Sequence, residues 1–208
     1  MMRLGDMAVV GEWPGKAMKA MAAIAMHAHQ AYDAGSGFRP GTSRDKCLFM
    51  SLAIRDFLVT IGYRDATVRG CALYIRADDK DDKEIWSIGI GVPGQPDEPD
   101  KFNGHAVVTV PSLGLMIDPT TYQAMRGHWR EAVTGLMAFP FEAPKPATFY
   151  GLHPFAGGAV ELDDRKVLIC WLDRPDLPWK KSDDFRVRNA RRIAVTKALV
   201  EAFGEWRD

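Results

Sequence analysis

The spacing of apolar positions changes several times along the chain, and each spacing predicts an element. From Gly15 to Tyr32, Ala17, Met18, Met21, Ile24, Ala25 and Ala28 recur at intervals of three and four, which predicts a helix. Trp13-Pro14 stand just before it, and proline suits a helix start. A second helix is predicted to begin near Cys47, run to about Ile61 and stop at Gly62. Leu48, Phe49, Leu52, Ala53, Ile54, Phe57, Leu58 and Ile61 leave only Arg55, Asp56 and Thr60 for its polar side. A stripe that broad belongs to a helix sunk into the domain. The loop before it carries Gly35-Ser36-Gly37 and Pro40-Gly41, and Thr42, Ser43 or Asp45 can each cap the helix that follows. All three choices put Cys47 within about the first turn.

Further on, the pattern shortens to that of strands. Ala66–Ala77 and Glu84–Val92 flank the charged run Asp78–Lys83, which predicts a hairpin. That acidic turn lacks the glycine and distal glutamate of a calcium loop and reads as solvated. Pro93–Asp100 is a proline-rich loop, either a spacer or the rim of a binding site. A second hairpin joins His105–Val110 to Leu115–Thr120 around Pro111–Gly114. If all four of those residues form the turn, Val110 faces Leu115 and His105 faces Thr120. A two-residue turn at Pro111-Ser112 instead puts His105 opposite Asp118. In either register, Asp118 lies directly or diagonally across from His105, about 4.5 to 8 Å away between Cβ atoms.

After Thr121 the periodicity weakens. A short helix carrying His128 and Trp129 is expected between Tyr122 and Leu136, and irregular surface chain from Phe139 to Pro154. Ala159–Leu162 and Lys166–Leu172 predict a third hairpin around Asp163-Asp164-Arg165. A last helix capped by Asp183 or Asp184 is expected to run to about Phe203. Its arginines Arg186, Arg188, Arg191 and Arg192 read as a solvated face, with an acidic partner or RNA as the rival.

Composition narrows the class. The 208 residues are 47% hydrophobic and 26% charged, the profile of one globular domain. Lys plus Arg and Asp plus Glu number 27 each, so net charge gives no reason to expect nucleic acid or membrane as partner. No apolar run approaches a membrane span, and no secretory core opens the chain, so a cytoplasmic location is expected. Three cysteines without CxxC spacing (Cys47, Cys71 and Cys170) argue against a disulfide framework or a zinc knuckle. His27 and His29 form an HxH pair, but on a helix they diverge by about 200°. No metal or cofactor is therefore expected, and a metal-dependent hydrolase built on that pair ranks well behind.

Cys47 carries the candidate chemistry. Helix N-termini and nearby cations, here Lys46 and Arg44, favour a thiolate. A carboxylate at Asp118 can fix the tautomer of His105, so a thiol, a base and an orienter occur in one chain. Cys71, in mid-strand, reads as a packing residue.

The order Cys47, His105, Asp118 resembles the transglutaminase-like superfamily, within the papain-like cysteine fold that also holds arylamine N-acetyltransferases. The resemblance spans roughly residues 38–122. It rests on Cys47-Leu48-Phe49-Met50-Ser51-Leu52-Ala53 followed by Gly62-Tyr63, and on His105–Val110 with Ile117-Asp118-Pro119-Thr120. It implies an α+β fold in which the cysteine helix packs on an antiparallel sheet. It implies acyl transfer through a thioester on a protein, peptide or small amide, with the Cys47 N–H as one oxyanion donor. Residues 15–32 would then be an N-terminal helix and 123–208 a C-terminal extension. Two departures stand out. Val107 replaces the aromatic often found two residues after the histidine, and Gly41 stands near where a papain-type glutamine is found. Gln30 and Asn103 are the candidates for the second oxyanion donor. The rival reading is a binding module that kept the fold and lost the reaction, with an exposed apolar patch among Trp171, Trp179 and residues 139–155.

Overall fold

The computed structural model describes residues 2–4, 7–34, 42–96, 102–124, 135–141, 146–161, 164–182, 185 and 190–205. Within them the chain is α+β. Three α-helices, α1 (Gly15–Ala34), α2 (Cys47–Thr60) and α3 (Ala190–Glu205), accompany a nine-stranded sheet. Its strands are β1 (Met2–Leu4), β2 (Met7–Val9), β3 (Thr67–Asp78), β4 (Glu84–Ile90), β5 (His105–Val110), β6 (Leu115–Asp118), β7 (Leu136–Pro140), β8 (Pro154–Glu161) and β9 (Lys166–Asp173).

The order is β1-β2-β7-β6-β5-β3-β9-β8, with β4 paired to β3. All pairings are antiparallel except β2 with β7, which is parallel. The sheet curls until Phe141, just past β7, bridges Ala156 of β8. The curl encloses one core: Leu73, Ile75, Val107, Met116, Met137, Phe139, Ile169 and Trp171. The outer face of β5, β6 and β7 carries Val108, Val110, Leu115, Ile117, Leu136 and Ala138, which pack against the helices in a second core. Strands buried on both faces have no polar alternation to keep, which explains the nearly unbroken apolar runs His105–Val110 and Leu136–Phe139.

α2 sits between this sheet and the other helices. Its buried side chains include Leu48, Phe49, Leu52, Ile54, Phe57 and Leu58. It ends as the glycine predicts. Gly62 has φ +108°, its N–H bonds the Val59 carbonyl, and the Tyr63 N–H bonds that of Leu58. α1 begins as Trp13-Pro14 suggest, with the Pro14 carbonyl accepting from the Ala17 and Met18 amides. Thr196 of α3 donates to the Ala53 carbonyl of α2 at 3.1 Å.

Several expectations are corrected. Leu136–Pro140 is an inner strand, not helix end or surface chain, because its side chains fill both cores. The segment expected as an extension supplies β7, β8 and β9 to the same sheet. Trp171 is fully buried, so it contributes nothing to an exposed patch. Arg191 lies over the Tyr32 ring at 4.9 Å, and Arg192 forms a 3.2 Å ion pair with Asp56 whose angle falls short of a hydrogen bond. Those two arginines bind the fold's own helices instead of forming a solvated face. His128, Trp129, Asp163, Asp183, Asp184, Arg186 and Arg188 lie outside the described residues, as do Gly35–Gly41. No helix among the described residues is long and apolar enough to cross a membrane.

Candidate functional site

The site forms where one edge of β3 changes partner. Residues Thr67–Cys71 pair with β5, ending at Cys71 opposite His105. From Leu73 onward the same edge pairs with β4, beginning opposite Ile90. The chain leaves this fork after Ile90 and returns at His105. A cleft of about 500 Å³ opens there, lined in part by Gly91, Phe102, Asn103, Gly104, Gln123 and Arg174. Two close approaches shape it. A Cβ on Gly91, which has φ +72°, would lie 2.6 Å from the Gly104 Cα. Arg174 donates to the Gly91 carbonyl while its other nitrogens grip Asp176.

Cys47, the first residue of α2, lies behind the cleft wall at Gly104. Thr42–Asp45 form a 3-10 turn, and the Lys46 N–H bonds the Ser43 carbonyl at 3.1 Å. Lys46 is therefore the N-cap, and its side chain makes no cap bond. None of the three expected capping residues serves, because the 3-10 turn absorbs them and the Ser43 hydroxyl is turned to His29 at 2.9 Å. The first amides of the helix, beginning at Cys47, have no intrahelical acceptor and present their N–H groups at its start. Cys47 is 5% exposed, and its thiol lies 3.8 Å from the Gly104 carbonyl oxygen. The Ser51 hydroxyl, one turn on, donates to the Ala106 carbonyl at 2.8 Å and ties α2 to β5. Lys46 is exposed, and the Arg44 side chain lies outside the described residues.

The hairpin takes the longer turn. Val110 faces Leu115, a 3-10 turn spans Pro111–Leu113, and Gly114 sits at φ +59°. Asp118 is thus diagonal to His105. His105 Nε2 meets Asp118 Oδ2 at 2.6 Å, and both side chains are fully buried. Sequence reasoning missed three further partners. The Thr120 N–H donates to Asp118 Oδ1 at 2.9 Å, a turn the Asp-Pro-Thr spelling could have signalled. The Trp171 indole donates to Asp118 Oδ2 at 2.7 Å, and no local pattern announces it. Gln123 stands 3.1 Å from His105 Nδ1.

The electrostatics follow from this packing. Burial alone would push the His105 pKa down. The Asp118 charge and hydrogen bond, joined by the nearby Cys47 sulfur, outweigh it and hold the pKa well above the usual histidine value. Burial, helped by the Asp118 charge, drives the Cys71 thiol well above its usual range, so Cys71 remains a neutral packing group. His105 Nε2 faces the acid and Nδ1 faces Gln123, with Cys47 close enough to act on the ring's pKa. The structure therefore puts His105 and Asp118 in direct contact, with Cys47 nearby.

No family model, curated protein or solved structure matches this chain.

The remaining candidates divide. Asn103 lines the cleft, whereas Gln30 is exposed on α1. His29 is committed elsewhere. Its Nε2 sits 2.7 Å from the Pro119 carbonyl, which can only accept, so that nitrogen carries hydrogen, while Nδ1 lies 2.9 Å from the Ser43 hydroxyl. It straps the turn before Cys47 to the residue after Asp118. Among the described residues no group of three or more His, Cys, Asp or Glu could hold a metal ion. In the acidic turn, Asp79 accepts from the Asp81 and Lys83 amides, each at 2.9 Å.

Proposed function

We propose that this chain is a thiol enzyme of transglutaminase-like, papain-like type that transfers an acyl group from an amide or peptide bond. The observation that carries the reading is the buried His105–Asp118 pair with a cysteine at a helix start near it. Cys47 is the nucleophile, His105 the base and acid, and Asp118 the orienter.

In the first half-reaction the Cys47 S–H proton passes to His105 Nδ1, and the sulfur attacks the carbonyl carbon. The oxyanion that forms takes the Cys47 N–H as one donor and, in this reading, the Asn103 side chain as the other. Collapse breaks the C–N bond, and His105 returns its proton to the leaving amine. In the second half-reaction His105 takes a proton from water or an amine, which attacks the thioester. Acid or new amide leaves, and Cys47 regains its proton. Water is the acceptor we assign, being always at hand.

The test is the pH dependence of Cys47 alkylation, read by peptide mass spectrometry, in the parent and His105→Ala. We expect Cys47 to react faster than an ordinary thiol, and a marked slowing in the variant. A Cys47 that reacts no faster than a free thiol, or only after unfolding, would overturn the reading and leave a binding module.

A further inference from the structure

We infer that Trp171 is a positioning residue of the site. Its indole N–H anchors Asp118 Oδ2 so that the proton shared with His105 stays on Nε2, leaving Nδ1 to the side where Gln123 stands. The inference rests on the proposed reading of Cys47 and His105 as a reacting pair.

Backbone, indole and imidazole N–H groups converge on one carboxylate. The Thr120 N–H meets Oδ1 at 2.9 Å, while the Trp171 indole and His105 Nε2 meet Oδ2 at 2.7 and 2.6 Å. Indole and amide N–H groups only donate, so both oxygens are spoken for as acceptors. Two donors on one oxygen use both of its lone pairs and leave the carboxylate a single rotation. Trp171, Asp118 and His105 are all 0% exposed, so no solvent competes for these bonds. The anchor is also rigid. Trp171 lies on β9 opposite Leu73 of β3, and Asp118 ends β6 opposite Met137. The indole therefore crosses the enclosed core from one wall of the sheet to the other.

Phenylalanine would fill most of the same space without a donor, so volume alone does not require tryptophan here. The bond has a direction of effect. With neutral imidazole, the indole helps hold a buried charge that little else compensates. With imidazolium, the ring itself compensates. The indole therefore stabilises the neutral-ring state more, and losing it favours the protonated ring.

The experiment labels the histidine rings with nitrogen-15 and follows His105 by NMR across pH, in the parent and in Trp171→Phe. We expect the parent's neutral ring to show one tautomer, protonated on Nε2. In Trp171→Phe we expect loss of that single tautomer and a His105 midpoint moved to higher pH. Replacing Trp171 with benzothienylalanine, which keeps the ring shape and removes only the N–H, should give the same two changes even if the phenylalanine variant folds poorly. An unchanged tautomer and midpoint in a folded variant would overturn the inference. The two readings fail separately. Unreactive Cys47 in the parent defeats the proposed function while the tautomer still reports on Trp171, and a reactive Cys47 with an indifferent tautomer defeats the role of Trp171 alone.

Discussion

At the scale of single residues, the His105–Asp118 contact links folding to pH. The folded pKa of His105 is raised, so protonation favours the folded state. That contribution is fully present below the unfolded value of about 6.5 and is lost as pH rises through the folded pKa. The parent should therefore lose stability above about pH 6.5 relative to His105→Gln, whose profile should lack that fall. Urea midpoints taken at steps across that range decide it, and parallel profiles would refute it. His29 gives a second prediction. Replacing it with alanine removes the partner of the Pro119 carbonyl and of Ser43, which should cost about 1–3 kcal/mol by urea unfolding. It should also slow Cys47 alkylation, since the turn before Cys47 is then held less firmly. The three residues of the proposed site could be read from the sequence because each carries its own local signal. Cys47 follows a loop and opens an apolar run, while His105 and Asp118 share a hairpin. Trp171 and Gln123 could not. Their roles depend on where β9 and the Thr121–Ala124 turn come to rest, and the residues around them do not state that.

At the scale of elements, two glycines separate backbone freedom from the shape of the cleft. Gly62 ends α2 at φ +108°, and the nearest atom to an added Cβ there is the end of the flexible Lys16 side chain, at 3.3 Å. Gly62→Ala should cost about 1–2 kcal/mol and leave Cys47 reactivity unchanged. Gly91 combines φ +72° with the Gly104 backbone 2.6 Å from its added Cβ. Gly91→Ala must therefore push β4 and β5 apart at the fork and shift Gly104, the residue whose carbonyl faces the Cys47 thiol. We expect a larger loss of stability together with a changed alkylation rate. Equal behaviour of the two variants would show that the fork does not set the site. The hairpins and helices were legible because their turns spell themselves, as Gly62 and Pro111–Gly114 do. β7 was not. Four successive buried residues, Leu136–Phe139, have no alternation, and proline-rich chain follows them. The parallel β2–β7 pairing was hidden as well, since its partners lie at opposite ends of the reading, Met7 with Leu136.

At the scale of the whole molecule, β3 is the strand on which everything depends. One edge holds β5 and β4, and the other holds β9 in continuous register from Cys71↔Asp173 to Asp78↔Lys166. Residues 38–122, the span expected to hold the catalytic core, include only the first of those edges. Ending the chain at Ala124 would strip β9 from β3 and β7 from β6. It would remove Phe139, Phe155, Ile169 and Trp171 from the enclosed core and α3 from the back of α2. The Asp118 carboxylate would lose its indole donor, and a long apolar edge would stand open to other chains. A fragment of residues 1–124 should therefore aggregate or give a collapsed amide spectrum, and Cys47 in it should alkylate as an ordinary thiol. Adding a fragment of residues 125–208 should restore dispersion if the two halves recombine. Should residues 1–124 alone give a dispersed spectrum with a fast-reacting Cys47, the later strands would be ornament and the site would be self-sufficient. The pairing of β3 with β9 argues the opposite, because the strand that carries Trp171 to Asp118 is also the one that closes β3's second edge.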